Sequence, residues 1–282
     1  MTVNDTRGNR MDRQLTLMAV HAHPDDEVIG TGGILAKLTA EGVRTVLVTC
    51  TNGEQGDGPG GVKPGQPGHD DAAVAERRLA ELSESVAHLG ISHLELLGYR
   101  DSGMDGWEGN GNPDAFANVP VETAAARLAE LMERYRPQVV VTYDEIGNYG
   151  HPDHIQAHRI AVAASEMTGI PDKLYYLAVP RERIQEMFEF MRSSGMAPED
   201  FEIPDDFGTP EELVTSVVDV SPYVDQKVKA LRAHASQADT IILLKMPPEA
   251  QHRAFSHEFF VRKFSRVDAP AREDDLFAGL RD

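Results

Sequence analysis

Up to about residue 180, short unbroken apolar runs alternate with stretches of helical spacing. Leu15–Val20 is the first such run, and Arg44–Cys50, His93–Leu97 and Gln138–Tyr143 (QVVVTY) follow. Runs of this length closed by turn signals predict buried strands. Between them, Gly32–Gly42 carries Ile34, Leu35 and Leu38 at helical spacing, and the glycines of Gly30-Thr31-Gly32-Gly33 read as the turn that opens this helix. Asp70–Leu89 puts Val74, Leu79, Leu82, Val86 and Leu89 on one face before Gly90, and Val121–Tyr135 is helical until Pro137 breaks it. A further helix starts at Pro152, a residue suited to a first helical turn, and runs to Met167. Strand, helix and strand within the first 36 residues of this pattern, 15–50, make a right-handed βαβ unit with parallel strands. The fold class is α/β.

From Leu174 the alternation loosens. LYYLAV (174–179) predicts a strand, Arg181–Ser193 a helix, Met196–Pro210 a connector rich in proline and acid, Leu213–Val220 a strand and Pro222–His234 a helix. Phe259–Phe264 predicts a last strand before an acidic tail. The expected division is a disordered polar tail (1–14), a catalytic core (15–173) and a C-terminal portion (174–282) packed on the core as one continuous domain and shaping the substrate pocket. Two segments read as loops. Residues 52–70 hold seven glycines and three prolines, which leaves a flexible excursion or a lid over the carboxyl end of the second strand. Gly98–Val119 is long and polar and contains the sole tryptophan, Trp107.

Charge narrows the partners. A formal net charge of −19 opposes long-range attraction to nucleic acid or anionic lipid. The polar start lacks the apolar core of a signal peptide, and no apolar run approaches 18 residues, so a soluble cytoplasmic protein is expected. Cys50 is the lone cysteine and reads as a small buried residue, which excludes a thiolate metal cluster.

Two clusters carry the candidate chemistry. His23-Pro24-Asp25-Asp26 follows the first strand and His151-Pro152-Asp153-His154 follows the fourth. In a parallel sheet both lie at the carboxyl edge, where α/β folds bind ligands. A hydrolytic zinc site needs three N/O ligands, an open position and a nearby carboxylate to take a proton. The clusters supply that set with residues to spare, and the proline after each leading histidine stiffens the loop. Asp25 and Asp26 should point different ways, one as ligand and one facing water, without the spacing saying which. His21 reads either as a second metal ligand or as a buried hydrogen-bonded histidine, and His158 as a structural neighbour. His234 stands open between a direct role and packing. Met104 and Trp107 either line a sugar pocket or pack their loop, and Pro198–Glu212 reads as solvated connector.

The chain resembles the LmbE-like, or PIG-L, family of zinc-dependent N-acetyl-sugar deacetylases. The residues that carry the resemblance are HPDD at 23–26, Arg78-Leu79-Ala80-Glu81, Asp101-Ser102-Gly103-Met104 and YDEIGNYGHPDH at 143–154. DDLFAG at 274–279 is similar to the ending of actinobacterial members that process mycothiol. The resemblance implies a Rossmann-like, mainly parallel sheet flanked by helices, and one zinc per chain on His23, Asp26 and His154, with iron as a competitor. It implies Asp25 as general base, His151 as a cationic oxyanion stabiliser tuned by a hydrogen bond from Asp153, and Tyr149 as a mobile assistant. Arg78 and Asp101 match contacts to substrate hydroxyls.

The implied reaction is hydrolysis of the amide of an N-acetylated amino sugar, N-acetylglucosamine or its conjugate, releasing acetate and amine. Two alternatives stand beside it: amidase action on a mycothiol conjugate, and a non-catalytic metal- or sugar-binding module, against which Asp25 argues. Two departures bear on the substrate: Val28-Ile29-Gly30-Thr31 follows HPDDE where the mycothiol enzymes continue with Ser or Thr, and Ile146 and Asn148 stand where they tend to have Asn and Gly. The expected partner is a small amino sugar, and assembly into a homo-oligomer is left open.

Overall fold

The computed structural model describes residues 14–195, 207–237 and 243–281. Most of the expected tail (1–14) and much of the acidic stretch Pro198–Glu212 lie outside them. Seven strands form one sheet: β1 (Thr16–His21), β2 (Arg44–Thr51), β3 (His93–Tyr99), β4 (Val139–Thr142), β5 (Lys173–Ala178), β6 (Ser216–Asp219) and β7 (His257–Ser265), in the order β3-β2-β1-β4-β5-β7-β6. The five strands from β3 to β5 are parallel, and β7 runs antiparallel to both β5 and β6. Strand order turns back between β1 and β4, which are paired with Leu17 opposite Val139. That switch point opens a crevice at the carboxyl ends of these two strands.

The helices are α1 (Asp26–Ala40), α2 (Asp71–Leu89), α3 (Val121–Tyr135), α4 (Pro152–Thr168), α5 (Arg181–Ser193), α6 (Val224–Ala233) and α7 (Pro248–Phe255). α1, α2 and α6 pack together, and α3 packs on α4. The right-handed crossovers place these two groups on opposite faces of the sheet. Asp70 caps α2 by accepting the N–H groups of Ala72 and Ala73, and Gly90 ends it in the left-handed conformation. The core is apolar on both faces: β1 is fully buried, as are Val46, Leu47, Val140 and Val141. Cys50 is buried, and burial pushes its thiol pKa upward.

Two expectations are corrected. α1 begins at Asp26, six residues before Gly32, so the glycines lie inside the helix. Their small size serves packing: a Cβ on Gly33 would come within 2.5 Å of Val220 and 3.0 Å of Glu258, and one on Gly30 within 2.8 Å of Leu177. Local propensity argues for a break there, but contacts from the C-terminal half override it. The acidic tail is also part of the core. Leu276 and Phe277 are completely buried, and Glu273 binds Lys173 Nζ (2.6 Å), Arg262 Nη1 (2.9 Å), the Tyr175 hydroxyl (2.7 Å) and Ser216 Oγ (3.1 Å). An additional helix, α7, appears where none was expected. Among the described residues, no helix is long and apolar enough to cross a membrane.

Candidate active site

β1 ends at His21, and the next residues turn sharply at Asp25, whose φ of 115° and ψ of −30° are unusual for a residue with a side chain. This turn sends the two neighbouring carboxylates apart. Asp26 Oδ2 lies 3.2 Å from His23 Nδ1 and 3.4 Å from His154 Nε2, and accepts the Tyr143 hydroxyl at 2.7 Å and the His23 N–H at 2.8 Å. The Asp25 carboxylate instead meets Arg78 Nη2 at 3.0 Å.

From the other side of the crevice, β4 leads into a single turn, Gly147–Gly150, and then into α4. His151 caps α4 by accepting the Asp153 N–H at Nδ1 (3.1 Å), so His151 faces the site while His154 follows one turn along. The rings of His23, His151 and His154 sit 4.5–5.3 Å apart by centroid. Tyr143 stacks on His154 at 4.1 Å, and the Tyr149 hydroxyl is 3.5 Å from His154 Nε2.

Two separations around Asp26 match those of a tetrahedral divalent metal's ligands. Bonds of about 2.0–2.1 Å place neighbouring ligand atoms about 3.3 Å apart in a tetrahedron, close to the 3.2 and 3.4 Å separations of Asp26 Oδ2 from the two imidazole nitrogens. The outward nitrogens are held as metal-ligating histidines require. His23 Nε2 points at Asp153 Oδ2 (3.2 Å) and Asp101 Oδ1 (3.5 Å), and His154 Nδ1 donates to the Gly147 carbonyl (3.2 Å). The groups whose ligand atoms all lie within 4.8 Å of one another are His23, His151 and His154, and His23, Asp101, His151 and Asp153; Asp26 is in neither. The His/Asp cluster is consistent with a divalent metal site.

Electrostatics separates the groups. Burial alone would raise the Asp26 carboxyl, but His154 and His23 hold it well below the ordinary range. Burial raises Asp25 to about 6, the largest effect, against the lowering influence of Arg78. His151 is pushed well down by burial and by its histidine neighbours, against the cationic form that the resemblance implies. Burial also opposes charge on His23, but the carboxylates of Asp101, Asp153 and Asp26 overcome it and favour positive charge at this point.

Several residues sit differently from expectation. The Asp153 carboxylate accepts from His23, from the Ser102 N–H (2.9 Å) and from Ser102 Oγ, whereas its link to His151 is through the main chain. Arg78 is buried and donates to the carbonyls of Gly53 and Pro24, both at 2.7 Å, besides pairing with Asp25. Asp101 accepts the N–H groups of Gly103 (2.9 Å) and Gln55 (3.3 Å). His21 is a buried structural residue: its Nε2 is 2.9 Å from Thr31 Oγ1, and burial lowers it to about 4. His158 donates to the Tyr143 carbonyl at 3.0 Å. Trp107 lies against Gly103. The start of the glycine-rich segment is tied to this wall through Gly53 and Gln55, while residues 60 and 61 and most of 63–68 are exposed. Tyr143, Ser102 and Glu27 were missed. Each stands inside a motif singled out from the sequence, but nothing in the spacing reveals that it supports a neighbour.

A family model described as PIG-L, GlcNAc-PI de-N-acetylase, matches residues 18–165, which span both clusters. The chain belongs to the PIG-L family. A 1D-myo-inositol 2-acetamido-2-deoxy-alpha-D-glucopyranoside deacetylase of Acidothermus cellulolyticus is 40% identical over 277 residues, covering 94% of this chain and 95% of its own. The protein of the same description from Thermobifida fusca is 42% identical over 248 residues, with 80% and 84% covered. Among solved structures, the N,N'-diacetylchitobiose deacetylase from Pyrococcus horikoshii superimposes with a TM-score of 0.59 at 19% identity, over 92% of this chain and 87% of that one, a likeness of fold. This PIG-L member is a metal-dependent hydrolase that cleaves the N-acetyl amide of an amino sugar.

Proposed function

We propose that the substrate is an N-acetylglucosamine joined to a polyol, of the inositol-linked kind named for the relatives, and that the metal is zinc on His23, Asp26 and His154. The observation that carries this reading is the divergence of Asp25 from Asp26, which sets a base with a pKa near 6 beside the metal donors without being one of them. Bound there, the metal would supply Lewis acidity, lowering the pKa of water and polarising the amide carbonyl.

Asp25 removes the proton of the attacking water as the C–O bond forms and the carbonyl electron pair moves onto oxygen. The neutral His151 accepts the Asp153 N–H at Nδ1, so its proton is on Nε2 and is available to the oxyanion. The Tyr149 hydroxyl assists from the His154 side. As the C–N bond breaks, Asp25 returns its proton to the amine nitrogen, and acetate and the free amino sugar leave. Arg78 holds Asp25 in place. Arg78 Nε and Glu54 Oε2, buried and without a hydrogen-bond partner among the described residues, are polar atoms left for sugar hydroxyls.

A second reading, amidase action on a bulkier mycothiol conjugate, is favoured by Ile146 and Ile29, which are 63% and 48% exposed beside the two ligand-bearing turns. Amine release measured on N-acetylglucosamine, its inositol conjugate and a thiol-conjugated mycothiol separates the two. Highest kcat/KM on the inositol conjugate, with one zinc per chain by elemental analysis, is expected. Preference for the thiol conjugate would replace the first reading by the second, and turnover of none of them would overturn both.

A further inference from the structure

The four residues that follow α6, His234-Ala235-Ser236-Gln237, grip three separate parts of the site wall. His234 is completely buried, and its Nε2 donates to Glu27 Oε1 at 2.8 Å. Ser236 Oγ donates to Glu81 at 2.6 Å, on the helix that carries Arg78. Gln237 Oε1 accepts the Asp57 N–H at 3.0 Å, in the glycine-rich segment. That segment packs so closely that a Cβ on Gly56 would lie 2.4 Å from Gln237 Oε1 and 2.8 Å from Arg78 Nη1.

The grip on Glu27 leads directly to Asp25. Glu27 is a fully buried carboxylate that takes no part in the metal donor set. Its Oε1 receives Ser85 Oγ at 2.5 Å as well as His234, and its Oε2 receives the Asp25 N–H at 2.9 Å. A backbone outlier such as Asp25 costs about 1–3 kcal/mol and persists only where its surroundings hold it. The Glu27 carboxylate holds the Asp25 N–H, while Arg78 holds the carbonyl of the same peptide at Pro24 and the Val28 N–H holds the Asp25 carbonyl at 3.1 Å. A buried carboxylate stays charged and oriented only while it is paired. His234 and Ser85 supply that pairing from two other helices.

We propose that His234, acting through Glu27, is a positioning residue for Asp25: it fixes the peptide that turns the Asp25 carboxylate toward substrate and away from the metal donors. The proposal rests on Asp25 being the base. It assigns to the C-terminal half a role in the chemistry, because the residue that sets the base lies more than 200 positions along the chain.

The test compares His234→Leu with His234→Gln in the zinc-loaded full chain, with Asp25→Asn alongside. Glutamine places an amide N–H about where Nε2 was, so it restores the bond to Glu27. The leucine variant should lose about 10- to 100-fold in kcat with KM and zinc per chain unchanged, and the glutamine variant should recover most of that loss at an equal thermal midpoint. Equal losses in the two variants, a loss confined to KM, or wild-type kcat in His234→Leu would each overturn the proposal. Should His234→Leu fail to fold, Ser85→Ala removes the other side-chain donor to Glu27 Oε1: a lowered kcat with unchanged KM supports the proposal, and wild-type kcat rejects it. Full activity in Asp25→Asn would instead remove the base assignment itself, an outcome distinct from an inactive Asp25→Asn beside an unaffected His234→Leu.

Discussion

Two buried polar clusters occupy opposite ends of the same sheet, and they are built on opposite plans. At the amino end of β5, Glu273 is met by Lys173, Arg262, Tyr175 and Ser216, so two cations answer one carboxylate. At the carboxyl ends of β1 and β4, the carboxylates of Asp25, Asp26, Asp101 and Asp153 gather around the imidazoles of His23 and His154, with Arg78 as their guanidinium partner. The first cluster is saturated and locks the C-terminal tail onto the sheet. The second crowds four carboxylates around one guanidinium and two imidazoles: burial raises the Asp25 and Asp153 carboxyls, and the carboxylates favour charge on His23. Burial of charge by itself therefore does not mark a functional site.

Asp25→Asn should lower kcat by about 10²- to 10⁴-fold while zinc content and thermal midpoint stay as in the wild type. An unimpaired rate would take the base out of the site cluster. Glu273→Leu leaves Lys173 buried without its partner and should cost about 3–5 kcal/mol of stability in urea unfolding, with kcat/KM retained below the transition. If activity fell as far as stability, the two clusters would not be independent. Asp153→Ala removes the acceptor behind His23, and competition with a chelator should show metal affinity about 10- to 100-fold weaker. Unchanged affinity would mean that Asp153 serves another partner. Because only ionised Asp25 accepts a proton, and its pKa is raised to about 6, kcat/KM should fall as pH drops through that value, about tenfold per unit below it. An acid limb near 4 would show that Arg78 outweighs burial.

Much of the fold was legible because its signals are local. Val139–Thr142 and Arg44–Thr51 are dense in β-branched residues, and the spacing of Val74, Leu82 and Leu89 in α2 fits no element but a helix. The joining of the two clusters was legible too, because parallel strands put their carboxyl ends on one edge. The glycines of α1 misled because their reason lies in Val220, Glu258 and Leu177, far along the chain. The family resemblance implies that Asp153 tunes His151, whereas its carboxylate points to His23 and Ser102. His234 gave no local sign of its role, since its partner Glu27 lies on the first helix.

By itself, then, the sequence determined the α/β class, the strand ends that carry the chemistry, and a donor set of imidazoles and carboxylates able to hold a metal. Those properties follow from periodicity, turn residues and side-chain type, which act over a few residues. Only the tertiary structure decided which of two adjacent aspartates faces the donors and which faces Arg78, because that depends on one backbone dihedral at Asp25 held by a buried carboxylate. It also decided which buried charges are paired with which. Pairing is set by partners up to 207 positions apart, His234 and Glu27 among them, which meet only when the chain folds.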